Sequence, residues 1–264
     1  MKLRIVPARQ GAVWVKMGMR TFFKQPLALS GLFFLFMAAM SVLSMVPVLG
    51  SIVALALLPA ATLGLMAATQ ETTKGKFPMP AVLVSAFRAG QQQLRGMLVL
   101  GGLYALGFLL VMGLSALVDG GQFARLYLVG GELSTELLMQ SDFEWAALAA
   151  MALYLPLSLL FWHAPALVHW HSISPVKSLF FSFVACMRNF WAFAVFGLTW
   201  LAAFLGMGLA VAIVSALLGS PQLVGALLFP MGMAMAAMFF TSLYFTFDDT
   251  FEVSPGDPHD PAHP

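Results

Sequence analysis

WVKMGMRTFFKQPLALSGLFFLFMAAM (residues 14–40) sets Lys16, Arg20 and Lys24 four residues apart and then carries no charge from Gln25 onward. At 100° per residue, Arg9, Lys16, Arg20 and Lys24 fall within about 80° of one another on a helical wheel. Trp14, Val15, Met19 and Phe22 lie opposite. The pattern predicts a helix in the membrane interface, with its basic edge toward anionic headgroups and its aromatic edge toward acyl chains. The charge stops at Lys24 because the chain then turns into the bilayer.

Composition extends that reading to the whole chain. Of its 264 residues 61% are hydrophobic and only 9% charged, with a mean hydropathy of +0.90. Soluble domains are about half apolar and about a quarter charged, so most of this chain has lipid as its solvent. Six stretches lack charge: roughly 27–46, 48–69, 96–118, 145–170, 190–218 and 222–247. Each meets the roughly 20 residues that a helix needs to cross a bilayer. Helices are expected because the backbone must satisfy itself where there is no water. The organisation that follows is a cytoplasmic amphipathic segment (1–26), a six-span domain (27–247) and an acidic, disordered cytoplasmic tail (248–264) with His259 and His263. One cysteine, Cys186, excludes an internal disulfide framework. The N-terminal residues lack the order of a cleavable signal peptide.

Lys and Arg concentrate in cytoplasmic loops. Twelve of the thirteen here precede span 1 or lie between spans 2 and 3 or 4 and 5. Arg125 alone lies in the 119–144 loop, which is otherwise acidic, and the turns at Pro47 and Ser220-Pro221 hold none. Both termini are therefore expected in the cytoplasm.

Two further stretches resemble the first. PAVLVSAFRAGQQQLR (80–95) places Arg88, Gln91, Gln92 and Arg95 on one helical face and Leu83, Ala86, Phe87 and Leu94 on the other. PVKSLFFSFVACMR (175–188) begins at proline, carries Lys177 and ends at Arg188. Each precedes an odd-numbered span. The even-numbered spans carry Pro59, Pro156 and Pro230 after four apolar residues. The pattern is that of three parallel units: interfacial helix, span, outer loop, proline-bearing return span. A mid-span proline frees a carbonyl and bends the helix, so the return spans are expected to be bent and to face the interior. The bend serves either packing or a cavity.

No span holds Asp, Glu, Lys or Arg, which argues against proton relays and voltage sensors. FWHAPALVHWHS (161–172) concentrates His163, His169 and His171. A zinc site needs three or four converging ligands, and one helix cannot supply them at this spacing. The expectation is an interfacial belt of Trp162, Trp170 and the two later histidines, with His163 deeper and hydrogen-bonded. Ser174, Ser178, Ser182 and Cys186 form a stripe of small residues suited to close packing, as do Gly101, Gly102, Gly107 and Gly113 in span 3 and Gly206 and Gly208 in span 5. No catalytic motif, metal set, cofactor loop or nucleic-acid footprint is present, and the basic stripes match headgroups better than phosphodiester backbones.

GMRTFFKQPLALSGLFFLFM (18–37), LPAATLGLMAATQETTKGKFPMPAVLVSAFR (58–88) and HAPALVHWHSISPVKSLFFSFVACMRN (163–189) resemble a family of multi-pass inner-membrane proteins of beta-proteobacteria. The resemblance covers nearly the whole chain except the acidic tail. It implies an inner-membrane protein and carries no activity, substrate, cofactor or catalytic residue. The expected fold is an all-α, six-span helical bundle with amphipathic interfacial helices. The expected function is non-enzymatic: organising or assisting other inner-membrane proteins through helix contacts and lipid headgroups. The alternative is a channel or carrier for an uncharged or amphiphilic solute.

Overall fold

The computed structural model describes residues 2–46, 48–131, 134–220 and 222–252. Pro47, Pro221 and the tail beyond residue 252, with His259 and His263, lie outside the described residues. The protein is an all-α membrane protein. Its helices are α1 (Gln10–Phe22), α2 (Pro26–Ser44), α3 (Leu49–Thr73), α4 (Ser85–Arg88), α5 (Gln91–Asp119), α6 (Gln122–Val129), α7 (Thr135–Leu138), α8 (Ser141–Phe161), α9 (Ala164–His171), α10 (Pro175–Arg188), α11 (Phe190–Leu217) and α12 (Gln222–Thr250). Among the described residues six segments are long and apolar enough to cross a membrane: α2, α3, α5, α8 with α9, α11 and α12. Even the shortest, with 19 residues, is about 28 Å long at 1.5 Å per residue, close to the hydrocarbon thickness. Large apolar side chains such as Leu27, Leu117, Leu217 and Phe229 stand exposed on these helices, as lipid-facing residues must.

The chain forms two compact units. The first takes the described residues of 1–35, 64–85 and 185–264. Its centre is α1, which packs on α11 and α12. Gly11 and Gly18 make this approach possible. A Cβ at Gly11 would overlap the Ala192 carbonyl, and one at Gly18 would lie 2.5 Å from the Ser242 Cβ. Trp14 is fully buried, 5.3 Å from the Phe193 ring. Its indole N–H donates to the Asp249 carboxylate at 2.7 Å, and Gln10 Nε2 donates to the same oxygen at 2.5 Å. The two chain ends also meet. Strand β1 (Lys2–Leu3) pairs antiparallel with β2 (Phe251–Glu252), and Arg4 N–H donates to the Thr250 carbonyl at 2.9 Å. Asn189, the single asparagine of the chain, sits buried between α10 and α11. It accepts from Val6 N–H at 2.8 Å and donates to the carbonyls of Arg4 and Ala185 at 3.1 Å each.

The second unit takes the described residues of 36–63 and 86–184. Here α5 packs on α8, α9 and α6. Gly101 lies against the Ala56 backbone, and a Cβ at Gly107 would meet Leu157 Cδ1 at 2.6 Å. Asp119 ends α5 and starts α6, its carboxylate accepting from Gly121 N–H at 2.8 Å and Phe123 N–H at 2.6 Å. Those are amides that a helix start leaves without an intrahelical partner. Between α8 and α9 the fourth span breaks at Trp162–His163. Pro165 has no N–H for the Phe161 carbonyl and crowds the preceding turn. The neighbouring rung of the ladder, His163 N–H to Leu159 C=O, is opened. Ser182 enters it from α10: His163 N–H donates to Ser182 Oγ at 2.9 Å, and Ser182 donates to the Leu159 carbonyl at 2.8 Å. A hydroxyl inserted into the helix ladder is a recognised cause of a kink.

Several expectations are corrected. The aromatic edge of α1 faces protein rather than acyl chains, because its two glycines let α11 and α12 close over it. Residues 80–95 form no single helix. They fold as a 3-10 turn (Pro80–Val84) and the one-turn α4, then break at Gly90 with φ +116°, so that Arg95 belongs to the first turns of span 3. The three units of the sequence pattern consequently start differently. Pro59 is buried, but Pro156 and Pro230 are exposed and do not face an interior. The tail boundary also moves, because Asp248, Asp249 and Thr250 form the last turn of α12. Gly102, Gly113, Gly206 and Gly208 have nothing within 4 Å of a built Cβ, unlike Gly101 and Gly107.

Ser182→Ala removes the hydroxyl shared by two main-chain groups and should destabilise by about 1–3 kcal/mol. Ser178→Ala, whose hydroxyl bonds only the Pro175 carbonyl of its own helix at 2.7 Å, should cost less than about 1 kcal/mol. Thermal unfolding of the detergent-solubilised protein checks the order of the two. By the same measurement Gly18→Ala should lose about 1–3 kcal/mol through overpacking. Gly31→Ala, which meets nothing within 4 Å, should be neutral or slightly stabilising.

Candidate lipid-headgroup site

The eight basic residues singled out in the sequence, Arg9, Lys16, Arg20, Lys24, Arg88, Arg95, Lys177 and Arg188, are all exposed. On α1 their placement is fixed by what lies opposite. Gly11, Trp14, Val15, Gly18, Thr21 and Phe22 are buried, which orients the helix about its axis and leaves Lys16 and Arg20 along one outer edge, with Lys24 exposed in the turn that follows. Long basic side chains bring apolar stems to such an edge as well as a charge. In α10 the same logic holds: Ser178, Ser182, Ala185 and Cys186 are buried, so Lys177 and Arg188 stand outside.

Two cavities flank the C-terminal half of α1 in the first unit. One, of about 480 Å³, is lined by Val15, Lys16, Met19, Arg20, Phe23 and Lys24 of the α1 segment, with Ala12 and with Thr199 of α11. Its floor is apolar and its charged lining wholly cationic. The other, of about 470 Å³, is lined by Met17, Arg20, Thr21 and Lys24, by Thr73 at the end of α3, and by Tyr244, Phe245 and Asp248 of α12. Arg20 and Lys24 border both. The Tyr244 hydroxyl donates to Asp248 Oδ1 at 3.2 Å. A cationic rim above an apolar floor matches the two halves of a phospholipid: phosphate beside Lys and Arg, glycerol and acyl carbons below.

The second unit holds two cavities of its own. One of about 410 Å³ is formed by residues of α2, α3, α5 and α6, including Ser44, Ser51, Leu55, Phe108 and Tyr127. Near it, the Tyr104 and Tyr154 hydroxyls lie 3.2 Å apart. Another, of about 340 Å³, is bordered by Gln92, Gln93, Arg95 and Ser172. None of the four cavities is lined by Pro59, Pro156 or Pro230.

His163 is fully buried and starts α9, while His169, His171, Trp162 and Trp170 are half-buried. Among the described residues no three His, Cys, Asp or Glu side chains gather where they could hold a metal ion. Sequence patterning read Ser182 only as one small residue of a packing stripe, and passed over Asn189 and Asp249. Asn189 had one signal, its being the only asparagine, placed where a basic helix turns into a span. The bonds of Ser182 to the fourth span and of Asp249 to α1 had no signal, because their partners lie about 20 and 240 residues away in the chain.

The chain is 40% identical over 262 residues to a probable inner membrane protein of Burkholderia thailandensis, an alignment that covers 98% of this chain and 97% of the relative. No protein-family model and no solved structure matches it. With that identity over nearly the full length of both chains, and with six segments fit to cross a bilayer, the chain belongs to the family of this probable inner membrane protein.

Proposed function

We propose that the protein is a non-enzymatic component of the inner membrane, with both termini in the cytoplasm. It organises or assists other envelope proteins through contacts with lipid headgroups and neighbouring helices. The observation that carries this reading is the fixed basic edge of α1. Lys16, Arg20 and Lys24 are held in line above an apolar groove because the opposite face of the helix is locked into protein. A loose amphipathic segment would spend its own binding energy on finding the surface. This one is presented ready-made, at the level where span 1 begins. The cytoplasmic placement of the ends is supported by the distribution of Lys and Arg. The meeting of β1 with β2 is consistent with ends on one side.

The alternative, passage of an uncharged or amphiphilic solute, draws on the cavity of about 410 Å³ bordered by Ser44, Ser51 and Tyr127. Flux of a neutral solute panel into proteoliposomes would favour it, and sealed vesicles would count against it.

Phosphatidylglycerol added to detergent-solubilised protein should raise its unfolding temperature. In the Lys16→Gln/Arg20→Gln/Lys24→Gln variant that stabilisation should fall by about 1 kcal/mol per charge, and in the wild type it should shrink as salt is raised. Equal responses from wild type and variant would defeat the lipid half of the reading. Cross-linking in native membranes tests the other half, which fails if the protein is recovered alone.

A further inference from the structure

The two cavities beside α1 differ in one respect that bears on which lipid each accepts. The one against α11 has only cations in its charged lining. The one against α3 and α12 adds a carboxylate, Asp248, to Arg20 and Lys24. No ion pair joins these three groups among the described residues. Their hydrogen-bonding surroundings are neutral: Thr21, Thr73 and Tyr244, whose phenol donates to Asp248. The adjacent Asp249 is engaged by Gln10 and Trp14, and Lys74 lies close enough to Asp248 to act on it electrostatically. Opposite charges that share a cavity without closing on each other are complementary to a ligand that carries both signs a few ångströms apart.

Resting on the lipid-contact reading above, we propose that this second cavity is a binding site for a zwitterionic phospholipid with a phosphoethanolamine headgroup. The phosphate lies between Arg20 and Lys24, where charge-assisted hydrogen bonds are strongest. The primary ammonium donates to the free lone pairs of Asp248. Met17 and Phe245 receive the glycerol and the first acyl carbons. A purely anionic headgroup would put negative charge beside the Asp248 carboxylate. A trimethylated headgroup would bring an ammonium with no N–H to donate. The site therefore discriminates by chemistry, whereas the neighbouring all-cation groove accepts any anionic lipid.

The test is native mass spectrometry of the purified full-length protein, after equilibration in nanodiscs of equimolar phosphatidylethanolamine and phosphatidylglycerol. Wild type is expected to retain phosphatidylethanolamine in excess. Asp248→Asn keeps an oxygen to accept from Tyr244 but loses the charge, and should lower the ratio of retained phosphatidylethanolamine to phosphatidylglycerol about threefold, in line with a partly exposed charge pair. Arg20→Gln/Lys24→Gln should reduce retention of both lipids. Circular dichroism and an unchanged unfolding temperature in lipid-free detergent establish that the variants fold. A ratio that ignores Asp248→Asn, while the basic variant still loses lipid, overturns this proposal alone. Retention that ignores both variants overturns the lipid-contact reading with it. Soluble phosphoethanolamine that displaces bound lipid at micromolar concentration would show the ligand to be a free headgroup and also overturn the proposal.

Discussion

Inside a bilayer a main-chain carbonyl that loses its amide has no water to turn to. That constraint governs the second unit. Pro165 opens the fourth span, and a single hydroxyl from α10 restores both sides of the neighbouring rung. The bend at Trp162–His163 thus depends on where α10 lies, and α10 in turn is held against the span by the same serine. The kink and the packing determine each other, which is why Ser182 is wholly buried on a helix whose outer edge is basic.

The first unit meets the complementary problem of how an amphipathic helix is kept from floating. Two glycines spaced seven apart put one flat face on α1, and a tryptophan between them reaches a carboxylate at the far end of the chain. The basic edge gains a fixed direction from this.

The six spans were legible because lipid imposes length and apolarity with little tolerance, the amphipathic character of α1 from the spacing of its basic residues, and α10 from the proline that opens it and the arginine that ends it. Which way an apolar edge faces was not. Acyl chains and a neighbouring helix are equally apolar, so Trp14, Val15 and Phe22 read alike in either setting. Only the steric detail of Gly11 and Gly18 against Ala192 and Ser242 decides. The same ambiguity misled the reading of the prolines. The sequence position of Pro156 and Pro230 announces a bend, but not whether the ring meets lipid or protein. Gly90, at positive φ, divided what periodicity joined into one helix, since a 3.6-residue pattern continues across a break that the backbone does not. For the candidate site, Lys16, Arg20 and Lys24 were visible as a stripe. That Arg20 and Lys24 border one cavity with Asp248 was hidden by more than 200 residues of chain and by the expectation that the acidic end stays apart.

The clasp between the two ends of the chain has a consequence for biogenesis. Residues 2–14 leave the ribosome long before their partners, Asn189, Asp249 and the strand at Phe251–Glu252. Until α11 has been made, the tryptophan face of α1 lacks its protein partners, and the membrane surface is the apolar phase within reach. The helix therefore has the interface as its early surroundings and is drawn into the fold as the fifth and sixth spans arrive. A nascent chain that stalls before those spans leaves the tryptophan face of its N-terminal helix uncovered by protein, whereas a finished one has hidden it.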